Sequence, residues 1–380
     1  MDGFSQTTPV SSALLESVAR AAPGHDLKGS FPHDSIALLR EAGLLALTVP
    51  RRLGGGGVGL ARAAEVVGAV GAACASTGLV LSMQFVHQGR VAASETIAAE
   101  LRDRVGIDAV EHGGLLNALR VEPALGTPAR GGMPETIARR DGETWRLTGR
   151  KIYCTGSPGL RWFLVWARTD ETEPRVGSFL VPSDTPGISI EQTWDQLGLR
   201  ASGSHDVVLT DVVIPAAYAA DIRRPEAWRG AETTGHIWGV VLTGALYTGV
   251  AKAARDWVIK FLHDRKPANL GAALATLPRM QEAVGAIEER LAVNAALLDT
   301  VIRDTEAGGS HGGHSLNLFK TTIAENAVRA VEQALTLTGN HGLSRHNSLE
   351  RHWRDVMCAR VHTPQADAVY LAAGRAALGL

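Results

Sequence analysis

The order of textures along this chain constrains its fold more than any other feature. Helical spacing of apolar residues fills the region from Ser11 to about Gly114, where Ile36, Leu38, Leu39, Leu44 and Leu45 recur on one face and an Ala-rich stretch runs from Leu60 to Val105. Small residues such as Ala72, Ala73, Ala75 and Ser76 let neighbouring helices approach closely. Around Asn117 the pattern changes to short β-branched and aromatic runs divided by turn residues. Asp141-Gly142 signals a hairpin ahead of the run from Thr144 to Gly149; further runs follow at Trp162 to Arg168, Val176 to Val181, Ile188 to Thr193 and Val207 to Ile214. Five or six short strands, read as antiparallel, make a compact barrel or sandwich. After Pro215 helical spacing returns, from Gly235 to Leu262, Leu277 to Thr305, Leu316 to Leu337 and Gln365 to Leu378, which predicts a four-helix bundle. The reading is therefore an α+β protein with a helical region 1–115, a β-region 116–225 and a helical bundle 226–380. A crevice where the sheet meets helices would accept a planar cofactor.

The formal net charge of −1 offers no field to hold nucleic acid or an anionic membrane, so a small molecule is the expected partner. Cys74, Cys154 and Cys358 have neither the number nor the spacing of a disulfide framework or a zinc site, which fits a reducing cytoplasm. Met1 to Gln6 carries no basic cluster before an apolar run, so it does not read as a secretory signal. The uncharged stretch Ile237 to Ala251, interrupted by three glycines, falls short of the ~20 residues of a membrane span and reads as a buried helix. Gly54 to Gly57 lacks the Lys-Ser/Thr of a phosphate loop. His311 and His314 sit in a Gly-rich connector without acids or cysteines, which reads as a loop, and no metal site is expected.

The β-region carries specific motifs. Val121-Glu122-Pro123-Ala124-Leu125-Gly126-Thr127 resembles the Thr-Glu-Pro-x-x-Gly-Ser segment of the acyl-CoA dehydrogenase superfamily. Gly149-Arg150-Lys151-Ile152-Tyr153-Cys154-Thr155-Gly156 resembles its Gly-x-Lys-x-Trp-Ile-Thr-Asn strand, and Trp194, Leu197 to Ser202 and Asp211 to Pro215 continue the pattern. The resemblance spans nearly the whole chain. It implies the acyl-CoA dehydrogenase fold, with an N-terminal helical domain, a middle antiparallel β-barrel and a C-terminal four-helix bundle. It also implies a flavin: Val121, Thr127, Tyr153, Cys154 and Thr155 would line it, the aromatic packing near the ring and the threonine hydroxyl bonding near N5, where hydride is received. Arg265 and the turn Gly339-Asn340-His341-Gly342 would take the adenylate half of FAD, in this family usually across a subunit boundary of a dimer of dimers. This turn departs from the family pattern, its glycines being split by Asn340 and His341 and Thr336 standing for a glutamine, so FMN is kept beside FAD.

Dehydrogenation of an acyl thioester needs a carboxylate to remove the α-proton. Counting from Arg354-Asp355, the usual glutamate position holds Thr363, and the alternative position on the first helix after the β-region holds Gly239. Neither side chain is a base at neutral pH. Arg351 to Asp355 followed by Val361-His362-Thr363-Pro364 resembles instead the flavin monooxygenase branch, dibenzothiophene monooxygenase-like, in which the histidine matching His362 faces the flavin and a second matches His87. A monooxygenase must keep reduced flavin and oxygen in a dry pocket and delay loss of peroxide, and histidine can donate or accept a proton near neutrality. The resemblance thus implies a flavin-dependent oxidoreductase using oxygen and served by a separate flavin reductase. An acyl-thioester dehydrogenase with an unorthodox base and a flavin-binding scaffold without turnover remain as alternatives. Cys154 reads as a packing residue, since strand alternation puts its one basic neighbour, Lys151, on the opposite face.

Overall fold

Glycine-to-glycine contact between the first and last regions sets the architecture. In the computed structural model, which describes residues 9–125, 132–228, 233–309 and 313–380, a Cβ on Gly249 would lie 2.1 Å from the carbonyl oxygen of Gly68. Two helices that touch through bare backbone cannot tolerate a larger residue there. They are α3 (Leu60–Ala73) and α6 (Thr233–Asp264). The first region also contains α1 (Ser12–Lys28), α2 (His33–Glu41), α4 (Ala75–Ala92) and α5 (Ala99–His112). The last adds α7 (Pro278–Glu306), α8 (Gly313–Thr336), α9 (Leu349–Met357) and α10 (Ala366–Leu378). Helix α6 touches α3, α4, α7, α8 and α9, which explains why Val240 to Leu242, Leu246, Tyr247, Val250, Ala251 and Ala254 are all buried. By length and composition α6 could cross a membrane, but 72% of its most apolar window lies inside the protein, as the sequence reading of a buried helix expects. The short helix α9 was not anticipated. Its Leu-Glu-Arg-His-Trp-Arg-Asp sequence looks like a solvated surface, whereas Arg351, His352, Arg354 and Asp355 are buried.

Among the described residues the β-region has eight strands rather than five or six: β1 (Leu115–Leu119), β2 (Ile137–Asp141), β3 (Thr144–Cys154), β4 (Leu160–Thr169), β5 (Val176–Pro182), β6 (Ile188–Glu191), β7 (His205–Pro215) and β8 (Ala219–Arg223). Their order is β6-β7-β3-β2-β4-β5-β8, with β1 beside β4. The pairs β1/β4 and β2/β4 are parallel, a correction to the all-antiparallel expectation; the intervening chain supplies the crossover that a parallel pair requires. Strand β4 is buried on both faces. Trp162 and Leu164 pack with Val91, Leu101 and Val105 of α4 and α5, while Phe163 and Val165 enter the main core with Phe179 and Val181. Its near-continuous apolar run follows from that double burial.

Candidate functional site

Strand β3 ends in a feature that regular alternation does not produce. Its pairing with β7 shifts register between Lys151 and Cys154, and Tyr153 takes a left-handed φ of 58°. The bulge turns Tyr153 outward, 57% exposed, and leaves Lys151 and Cys154 both buried. Burial pushes the Cys154 thiol up, which fits its packing role. Below Tyr153 the chain returns through hydrogen bonds. Thr155 Oγ1 lies 3.0 Å from Ser204 Oγ, itself 2.7 Å from Ser202 Oγ, and Asn117 Nδ2 donates to Thr155 O at 2.8 Å. Trp194 meets Tyr153 edge-on with ring centroids 6.2 Å apart. Val121 is held alongside, its carbonyl accepting from Ile152 N at 3.0 Å; Thr127, with Gly126, lies outside the described residues.

One ion pair supports this shelf from inside. Lys151 Nζ donates to Glu122 Oε1 at 2.5 Å and to the carbonyl of Trp166, with the two side chains 0% and 1% exposed. Glu122 also accepts from Glu135 N at 2.6 Å and Thr136 N at 3.0 Å, so one carboxylate closes the connection between β1 and β2. Burial alone would raise the Glu122 carboxyl; Lys151 and these amides outweigh it and hold the group below its ordinary value.

The loop after β6 docks on α9. A Cβ on Gly198 would sit 2.1 Å from Arg354 O, so the loop backbone lies directly on the helix. Leu199 N donates to Asp355 Oδ1 at 2.6 Å, while Arg354 forks onto Asp26 of α1 at 2.7 and 2.9 Å and onto Glu350. Burial pushes the Asp355 carboxyl up to about 6. A carboxyl raised in the folded state favours folding at low pH and loses that contribution as pH rises through its folded value. Asp355→Asn keeps an acceptor for Leu199 N without the ionisation. Its stability relative to the parent, read from urea midpoints, is expected to improve as pH rises from about 4 to about 6 and to level off above that.

His362 lies in the turn before α10, with Tyr247 Oη 2.6 Å from its Nε2. Lys320 Nζ donates to the carbonyls of His362 and Pro364 at 2.6 and 3.0 Å. These three side chains, with Thr243, Gly244, Ala324 and Ala359, line a cavity of about 10 Å³, room for roughly one water. Burial first and Lys320 second push the His362 imidazole down to about 4. Thr363 is exposed, and a Cβ on Gly239 would meet nothing within 4 Å. One turn before Gly239, His236 Nε2 lies 2.7 Å from Asn317 Oδ1. His87 is not drawn into this group. It sits on α4 with its Nδ1 buried and unpartnered, and burial, reinforced by the Arg90 and Arg120 charges, pushes it down to about 3. Both imidazoles are therefore neutral where an isolated histidine would titrate, because each is buried beside cations rather than carboxylates.

Arg265 is exposed just beyond α6, and Phe261 one turn earlier packs against His341, ring centroids 5.3 Å apart. The fold thus brings Arg265 towards the Gly339 to Gly342 turn. Gly339 adopts φ 54°, and a Cβ on Gly342 would lie 2.1 Å from Thr338 Oγ1. His311 lies outside the described residues.

Three family models match in chain order: "Acyl-CoA dehydrogenase, N-terminal domain" over residues 9–97, "middle domain" over 120–212 and "C-terminal domain" over 241–365. A putative acyl-CoA dehydrogenase of Bacillus subtilis, YdbM, is 30% identical over 94% of this chain and 92% of its own length. This chain belongs to the acyl-CoA dehydrogenase family. Members of the acyl-CoA dehydrogenase family are flavin-dependent oxidoreductases, of dehydrogenase and monooxygenase types alike, and the α+β fold implied by the sequence motifs stands. L-evernosamine nitrososynthase from a Micromonospora species is 28% identical over 97% of this chain and 88% of that protein. The structure of KijD3 in complex with FMN and dTDP-3-amino-2,3,6-trideoxy-4-keto-3-methyl-D-glucose is 28% identical, with a TM-score of 0.83 over 100% of this chain and 97% of that one. Within this acyl-CoA dehydrogenase frame, sequence reasoning named His362 but missed Tyr247 and Lys320, which stand singly in long helices with no local motif to mark them.

Proposed function

We propose that this chain is a reduced-flavin, oxygen-using monooxygenase rather than an acyl-thioester dehydrogenase. The observation that carries the reading is the surroundings of His362: its partners are a phenol and an ammonium, and among the described residues no carboxylate hydrogen-bonds to His362, Tyr247 or Lys320. Thr363 and Gly239 offer no base either.

The flavin ring, FAD or FMN, lies on the shelf of Val121, Tyr153, Cys154 and Thr155 in this reading. The fit rests on Tyr153, a large aromatic held outward by a strained backbone, which a planar group would cover. The Thr155 hydroxyl, already held by Ser204, would donate to the ring edge. The family resemblance adds Thr127 as a further flavin contact. Arg265, Gly339 and Gly342 receive the adenylate half of FAD from a neighbouring subunit of a homotetramer. With flavin bound, His362 and His87 would each lie near the ring, help exclude water and offer hydrogen bonds on the oxygen side. Bound reduced flavin supplies two electrons for oxygen, and a separate flavin reductase renews it. The nitrososynthase and amino-sugar likenesses support a small molecule oxidised at nitrogen, with sulfur or carbon as other acceptors. Free cysteines support a reducing, cytoplasmic setting.

The dehydrogenase alternative is favoured by the 30% identity to a putative acyl-CoA dehydrogenase. Anaerobic mixing of flavin-loaded protein with saturated acyl-CoAs of several lengths separates the two. The oxidised flavin spectrum is expected to persist; bleaching within the mixing time with any chain length overturns the monooxygenase reading.

A further inference from the structure

We propose that Tyr247 and Lys320 are positioning residues that fix His362 as a neutral imidazole with its proton on Nδ1. The geometry supplies the first half. Tyr247 is buried, and burial, followed by Cys358 and Asp355, raises its phenol well above the ordinary value, so the O–H is retained. A buried hydroxyl proton needs an acceptor, and the partner within reach is His362 Nε2 at 2.6 Å. An imidazole nitrogen that accepts leaves the ring proton on the other nitrogen. Nδ1–H is then the ring's free donor, with no protein acceptor among the described residues.

Lys320 supplies the second half. It is 6% exposed, no carboxylate pairs with it among the described residues, and its two recorded acceptors are carbonyls on either side of Thr363. A lysine on α8 thus ties the turn carrying His362 to the bundle, and its charge beside the ring opposes a second proton on the imidazole. Burial lowers Lys320 itself to about 8, so it remains mostly charged at neutral pH. The other titratable groups on packed elements do not offset it. Cys358, pushed up to about 12 by burial, stays a thiol, and Asp355 is committed to Leu199 N. A separate tether and a separate tautomer lock on one histidine is more than packing requires.

The use of Nδ1–H as a donor towards oxygen chemistry rests on the monooxygenase reading; the tautomer and the protonation state do not. The full-length protein with 13C-labelled histidine, assigned through His362→Gln, tests them by NMR. The Cδ2 shift of His362 is expected to report Nδ1–H in the parent and to move towards the Nε2–H form in Tyr247→Phe. Lys320→Gln, which keeps a donor for one carbonyl but removes the charge, is expected to raise the pH at which His362 titrates while leaving it below the ordinary value, since burial, the larger cause, persists. Lys320→Met serves the same purpose should the glutamine perturb the turn. An unchanged tautomer in Tyr247→Phe together with an unchanged titration in both Lys320 variants overturns the proposal. If the shifts occur but peroxide release from the reduced, oxygenated protein is the same in parent and Tyr247→Phe, the control of His362 stands and the use of its Nδ1–H in oxygen chemistry falls.

Discussion

Lys151→Met is expected to destabilise the protein by ~3–5 kcal/mol, the usual result of stranding a buried charge. The side chain it replaces is fully buried and neutralises Glu122, which in turn accepts two backbone amides from the connection between β1 and β2. Methionine fills the volume but leaves the carboxylate without its cation, so the ion pair is lost while its desolvation cost remains. Lys151→Met combined with Glu122→Gln is expected to recover part of the loss, because the stranded charge is removed and the amide oxygen still accepts from one of the two backbone amides that Glu122 takes on separate oxygens, Glu135 N or Thr136 N. The pH dependence has a definite sign. A carboxyl held below its ordinary value adds stability above its unfolded pKa and loses it as pH falls through the lowered folded value, so the acid limb of the parent is steeper than that of the double variant. Urea titrations at two pH values measure both effects. A loss under about 1 kcal/mol for Lys151→Met would mean the cavity admits water and the pair is solvated.

His362→Ala is expected to lower oxygenation of the first substrate that turns over by ~10²–10⁴-fold, the range for a positioned acid–base side chain. Flavin binding should survive, because the shelf of Tyr153 and Thr155 is built from β3 and the loop after it, and no hydrogen bond ties either to His362. The diagnostic readout is therefore the ratio of peroxide released to oxygen consumed, which should approach one in the variant with unchanged flavin occupancy. A variant that loses flavin and activity together would instead make His362 a structural residue of the α10 turn. His87→Ala tests the second proposed histidine by the same ratio, its Nδ1 being buried without a hydrogen-bond partner.

What the sequence disclosed was local in the chain. The β3 strand, the hairpin at Gly142 and the buried course of α6 could be read because neighbouring residues share one structural task. Contacts of long sequence separation were not readable. Tyr247 meets His362 across 115 positions and Lys320 reaches its carbonyl across 42, and neither residue interrupts its helix pattern in a way that would draw notice. Helix α9 failed for a different reason. Its buried polar residues satisfy one another and the loop after β6, so a sequence that hydropathy assigns to solvent lies inside. The Lys151–Cys154 bulge failed because strict alternation is the rule that a bulge breaks.

The docking of Leu199 on Asp355, and of Arg354 on Asp26, has a consequence for how this protein is made. Its partners come from the beginning, the middle and nearly the end of the chain. On a ribosome, where the chain emerges from its N-terminus, α1 and the β-region can form long before the guanidinium and carboxylate that lock them exist. Until residue 355 emerges, the Leu199 amide and the Asp26 carboxylate must be satisfied by water, and the loop beside Tyr153 has nothing to lie on. On the proposed reading, the shelf for the flavin is thus completed late in synthesis, which makes a truncated product a poor competitor for cofactor.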